Sequence, residues 1–169
     1  MDVPAIRYLS GYSQDLQDKA QQLLVENQLG EILRRRYPDA HGLTSANSLY
    51  DYTIKLKNKY LRSSPPVNKV IYDDKIHVVH NALGLHTAIS RPHGGTLRAK
   101  KEIRISALFR STPEPFLRMI VVHELAHLRE KEHNKAFYNL CQYMTPDYHQ
   151  LELDVRLYLS HRDLYGDLW

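Results

Sequence analysis

The chemistry this sequence can do is concentrated in the run Val121-Val122-His123-Glu124-Leu125-Ala126-His127-Leu128. His123 and His127 are four residues apart, so on a helix they project from one face about one turn apart and can share one metal ion. Glu124 follows the first histidine, which sets its carboxylate beside that ion, where it can take a proton from an activated water. Zinc suits such a site, and a catalytic zinc keeps three protein ligands and one open position. The flanking residues are apolar, and two histidines and a glutamate inside an apolar helix cost stability unless they find partners. The bland alternative is a pair of core histidines satisfied by hydrogen bonds, with Glu124 exposed.

A third ligand is expected, and His133, six residues after His127, is the leading candidate. On a continuous helix it would point away from the first two. It reaches the metal only if the helix ends within residues 128–132 and the chain turns back; Asn134 as the cap of a new helix supports that turn. Glu152 and Asp154 are rival carboxylate ligands.

The elements that must hold these residues read as follows. Leu16, Ala20, Leu23 and Leu24 form a helical stripe that continues through Ile32 and Leu33 until Pro38 and Gly42 break the chain. Leu49, Tyr52, Thr53, Leu56 and Tyr60 form a second stripe, with Thr44 or Ser45 as N-cap. After Ser63-Ser64-Pro65-Pro66 the pattern becomes strand-like. Residues 70–72 and 76–79 flank Asp73-Asp74-Lys75 as a hairpin, and Leu85, Thr87 and Ile89, then Ile103 and Ile105, alternate as short strands. Thr112 as N-cap, Pro113 at the first position and Glu114 open the histidine helix, which is apolar on nearly every side and therefore buried. Helices over 135–143 and 147–159 follow. The order predicts an α+β domain with N-terminal helices, a small, mostly antiparallel sheet, a buried metal helix and C-terminal helices.

The chain's 169 residues fit a single domain, 1–169, with a helical part over 1–64 and a metal-binding catalytic part over 65–162. One cysteine, Cys141, excludes an internal disulfide and reads as a core residue. The N-terminal residues lack a basic-then-apolar signal pattern. The stretch 116–128 is too short and too polar to span a bilayer. A cytoplasmic protein is expected. The net charge of +4 suits an acidic partner without demanding one.

With Glu132-His133-Asn134-Lys135-Ala136-Phe137-Tyr138, the histidine run resembles the YgjP-like metallopeptidase family, relatives of the SprT-type proteins, over about residues 65 to 160. The resemblance implies a zincin-like fold and a motif of the form HELxHL, a spacer, then a histidine and an aromatic residue. It matches His123, His127 and His133 to zinc ligands and Glu124 to the general base. Where many relatives carry Trp-Gly-Ser-Cys, this chain has His93-Gly94-Gly95-Thr96, so no substrate role is carried over to that segment. The spacing of the histidines also equals that of the metzincins, but their glycine after the second histidine is Glu130 here.

In zincins the strand before the zinc helix often lines the substrate cleft. The corresponding tract holds Arg91, Arg98, Lys100, Lys101, Arg104 and Arg110 against the single acid Glu102. With the Gly-Gly turn it can bind phosphate oxygens, Arg91, Arg98 and Lys101 foremost. His93 can polarise a developing oxyanion. The competing reading is a solvated loop with His93 as a plain turn residue. Arg34-Arg35-Arg36 reads as the polar end of a helix, and the twelve tyrosines read as core packing.

The expected activity is metal-assisted hydrolysis with one Zn2+ per chain and Glu124 as general base. The substrate is a peptide bond by the resemblance, or a phosphoanhydride of a nucleoside triphosphate by the basic tract. A third class is a non-enzymatic, zinc-stabilised nucleic-acid-binding module.

Overall fold

The computed structural model describes residues 4–76 and 102–169. The chain forms α1 (Gln14–Val25), α2 (Leu29–Arg36), α3 (Ala46–Tyr60), β1 (Lys69–Asp73), β2 (Glu102–Ser106), α4 (Glu114–Ala126), α5 (Lys135–Met144) and α6 (Tyr148–Tyr165). It is α+β. Two compact units divide it, one of residues 41–148 and one of 1–40 with 149–169.

In the unit of 41–148, α3 starts where its cap chemistry says. The Ser45 hydroxyl accepts from Ser48 N, and Ser48 answers toward the cap backbone. Leu49 and Thr53 are buried on the side of α3 that packs toward β1, α4 and α5. β1 and β2 pair parallel, Val70 opposite Ile103 and Tyr72 opposite Ile105. The expected antiparallel arrangement is therefore corrected for the described strands. Its basis was a hairpin at Asp73-Asp74-Lys75. The partner of β1 is instead a strand some thirty residues on, and a connection of a dozen or more residues is what a parallel pair requires. The other half of that hairpin, 77–79, and the strand 85–89 lie outside the described residues.

Ile103 and Ile105 are buried on β2. Arg104, pointing the other way, donates to Asp73 Oδ2 at 2.7 Å and to Glu102. The Lys75 backbone N–H and the Arg104 guanidinium hold the Asp73 carboxyl below its ordinary value. Tyr72 donates to the Leu43 carbonyl at 2.6 Å, and burial pushes its phenol up to about 12.

A short 3-10 turn over 107–111 leads into α4. Thr112 is fully buried, but its hydroxyl donates to the Phe109 carbonyl and Pro113 takes the cap position. The cap expected at Thr112 thus falls one residue later, because a carbonyl of the preceding turn competes for the hydroxyl. From Phe116 to Ala126 every residue of α4 except Arg118 is buried, as apolarity on all sides predicts. Tyr52 donates to Glu114 at 2.6 Å and Arg118 lies 3.5 Å from the same carboxylate, tying the start of α4 to α3.

In the unit of 1–40 with 149–169, the expected helical stretch breaks between α1 and α2 at Asn27, whose φ is +54°. Asparagine tolerates that left-handed conformation better than most residues. Arg34 donates to the Leu168 carbonyl, Arg35 to Glu31 and Arg36 to the fully buried Asp154. The arginine triplet is the end of a helix, as read. Asp154 also accepts from Tyr37 and Gln150. Among the described residues, no helix is long and apolar enough to cross a membrane.

Candidate metal centre

α4 carries His123 and Glu124 on its last turn, and His127 follows in helical conformation as the C-cap, in phase with His123. The helix then stops at once, with the N–H groups of Arg129 and Glu130 both closing on the Ala126 carbonyl. Asn134 N donates to the Glu132 carbonyl, and the Asn134 side chain accepts from Phe137 N at 2.9 Å to open α5. This reversal within 128–134 is the one that His133 required.

The outcome is a triangle of imidazole nitrogens. Nε2 of His127 lies 3.3 Å from Nε2 of His123 and 3.1 Å from that of His133, and the third side measures 3.2 Å. Three corners of a tetrahedron with metal–nitrogen bonds of 2.0–2.1 Å stand about 3.3–3.4 Å apart, so the donor set fits a divalent metal with little adjustment. His127 Nδ1 lies 2.9 Å from the Glu130 carbonyl. A carbonyl only accepts, so Nδ1 carries the proton and Nε2 presents its lone pair.

Burial sharpens the chemistry. His123, Glu124 and His127 are 2%, 4% and 7% exposed. The expectation of an exposed Glu124 that went with the non-metal reading does not hold. The ring of Phe137, itself fully buried, lies 4.9, 4.6 and 4.9 Å from the centroids of His123, His127 and His133. One aromatic floor thus touches all three imidazoles and restricts how they can turn.

Among the described residues, the group able to hold a metal comprises these three histidines. The rival carboxylates are engaged elsewhere: Glu152 accepts from Arg156 at 3.0 Å and Asp154 from Arg36. Of the basic tract, Arg104 is committed to Asp73 and Glu102, and Arg110 lies over the Tyr72 ring at 5.0 Å. Arg91, His93, Arg98 and Lys101 lie outside the described residues. His41, without ligand spacing in the sequence, is structural: its ring contacts the Phe109 carbonyl and accepts from Leu43 N.

The sequence reading missed Tyr148, placed with core tyrosines. It is fully buried, and its hydroxyl lies 2.8 Å from His123 Nδ1. Nothing in periodicity separates such a tyrosine from a packing residue, because the ring packs as well.

A helix-borne histidine pair, a third histidine after a tight reversal and a buried glutamate are the donor set and the acid–base group that metal-dependent hydrolysis needs. The family model described as a YgjP-like metallopeptidase domain matches residues 5–156, and the chain belongs to that family of metal-dependent hydrolases. It is also similar to a protein of Escherichia coli (strain K12) named UTP pyrophosphatase, with 58% identity over 159 residues, 94% of this chain and 95% of that protein. No solved structure gives a significant match.

Proposed function

We propose that this chain is a zinc-dependent nucleoside triphosphate pyrophosphohydrolase, with His123, His127 and His133 as ligands and Glu124 as general base, in a zincin-like catalytic part. The observation that carries the chemistry is the convergence of three Nε2 atoms to 3.1–3.3 Å beside a buried glutamate. The substrate class rests on the relative named UTP pyrophosphatase, which matches nearly the whole chain.

A divalent ion at this place supplies Lewis acidity, lowering the pKa of a water and drawing charge from a phosphoryl oxygen. Glu124 accepts the proton of the attacking water and passes it toward the leaving group. With UTP, the water oxygen bonds to the α-phosphorus, the bond to the bridging oxygen breaks, and pyrophosphate leaves with the electron pair. The Glu130 carbonyl holds His127 in its ligating tautomer, and Phe137 closes the apolar side. Arg91, Arg98 and Lys101 offset phosphate charge that would repel the nucleophile, and His93 polarises the oxyanion.

A peptide bond is the second reading, favoured by the family's description as a metallopeptidase domain. The same three ligands and base serve it, so only substrate contacts separate the two. A structural zinc in a nucleic-acid module fits less well, because a closed four-ligand site has no use for the buried carboxylate of Glu124.

The test is to incubate zinc-loaded protein with UTP, other nucleoside triphosphates and an unfolded polypeptide together. UMP and pyrophosphate should form while the polypeptide survives. Polypeptide cleavage with every nucleotide intact overturns the substrate class. Stoichiometric zinc without any turnover overturns the enzyme reading.

A further inference from the structure

His123 has one ring proton to place, and where it sits decides whether the residue can ligate. On Nε2 the proton would face the other two nitrogens, 3.3 and 3.2 Å away, and block a metal. For His127 a backbone carbonyl settles the matter. For His123 the group at Nδ1 is a side chain, the Tyr148 hydroxyl at 2.8 Å.

We propose that Tyr148 is a positioning residue for His123, its phenol oxygen accepting the Nδ1–H proton so that Nε2 keeps its lone pair for the metal. The proposal rests on the metal-centre reading above. Three observations support it beyond the distance. The Tyr148 ring is fully buried and nearly parallel to the imidazole, at 22° with centroids 6.5 Å apart, which leaves the hydroxyl little freedom to turn away. Its entry point is fixed by a turn in which Tyr148 N donates to the Thr145 carbonyl and the Thr145 hydroxyl donates to Asp147. At the neighbouring imidazole, His127, Nδ1 likewise meets a neutral oxygen, the Glu130 carbonyl at 2.9 Å. A phenol or carbonyl in this place orients an imidazole without adding negative charge. A carboxylate, the commoner partner, would add it.

Tyr148→Phe removes the oxygen and keeps the ring, so a role in packing alone predicts no change. Zinc affinity is read by competition with a chromophoric chelator, alongside the melting temperature of the metal-free protein. The expected result is zinc binding weakened about 10- to 100-fold, with the melting temperature of the metal-free protein nearly unchanged. Zinc binding as tight as in the wild type overturns the proposal. Should the variant not fold, the zinc-loaded wild type decides by NMR: a slowly exchanging His123 Nδ1 proton supports the role, and one exchanging as fast as an exposed histidine's overturns it. Failure of the wild type itself to bind zinc overturns the metal-centre reading, and this proposal with it.

Discussion

A glutamate that is 4% exposed and adjoins a candidate ligand pair, as Glu124 does, is either a structural group or a proton carrier. Glutamine separates the two, since it keeps the shape and hydrogen-bonding reach of glutamate but cannot take a proton from water. Glu124→Gln is expected to retain zinc and fold while turnover falls on the order of a hundredfold or more. Zinc content and turnover rate, measured on the same preparation, check this; wild-type turnover removes Glu124 from the mechanism. At this scale the sequence was informative where residue type and spacing act through one helix. His123, Glu124 and His127 need only 3.6-residue periodicity to come together. His133 needed a helix end that a cap at Asn134 announces. Tyr148 comes from a separate helix, and no local spacing encodes its approach to His123.

Elements add a constraint that composition hides. Gly30 lies inside α2, where glycine ordinarily costs a helix about 1 kcal/mol relative to alanine. By propensity alone, Gly30→Ala should stabilise. A Cβ there, however, would meet His161 Cε1 at 2.6 Å and Leu168 Cδ2 at 3.1 Å. His161 is itself buried, and burial holds its pKa below the ordinary histidine value. Gly30→Ala is therefore expected to destabilise by about 1–3 kcal/mol, read from the urea midpoint. In a His161→Ala background the penalty should shrink, with the Leu168 contact remaining; a Gly30→Ala protein more stable than wild type rejects the contact as limiting. The same scale shows where pattern reading ends. Helices α1, α3, α4 and α5 were legible because apolar patterning is local, and for α3 and α5 the caps Ser45 and Asn134 are local too. Strand direction was not, because alternation in β1 and β2 reports which face is buried and says nothing of which strand is the neighbour. α6 runs past the expected end at Leu159 to Tyr165, since Ser160, His161 and Arg162 carry no stop signal.

The charge of the whole molecule bears on which substrate reaches the metal. The sequence carries +4 with an isoelectric point near 9.1, yet part of its basic surface is already spoken for. Arg104 is held by Asp73 and Glu102, and Arg36 by Asp154. A field meant for a polyphosphate must then come from other cations, of which Arg91, Arg98 and Lys101 are the first to test. A triphosphate carries several negative charges, so its capture depends on long-range attraction that salt screens over about 10 Å at 0.1 M. A neutral unfolded peptide has no such dependence. On the nucleotide reading, kcat/KM for UTP falls as salt rises. Replacing Arg91, Arg98 and Lys101 together with alanine raises KM or lowers kcat and flattens that salt dependence, with zinc content unchanged. Arg104→Ala is the contrasting variant: loss of its contacts to Asp73 and Glu102 should lower the melting temperature and leave the salt dependence in place. A triple variant that hydrolyses UTP like the wild type, with the same response to salt, would mean that the tract only solvates the surface and that the metal, Glu124 and their immediate neighbours select the phosphate unaided.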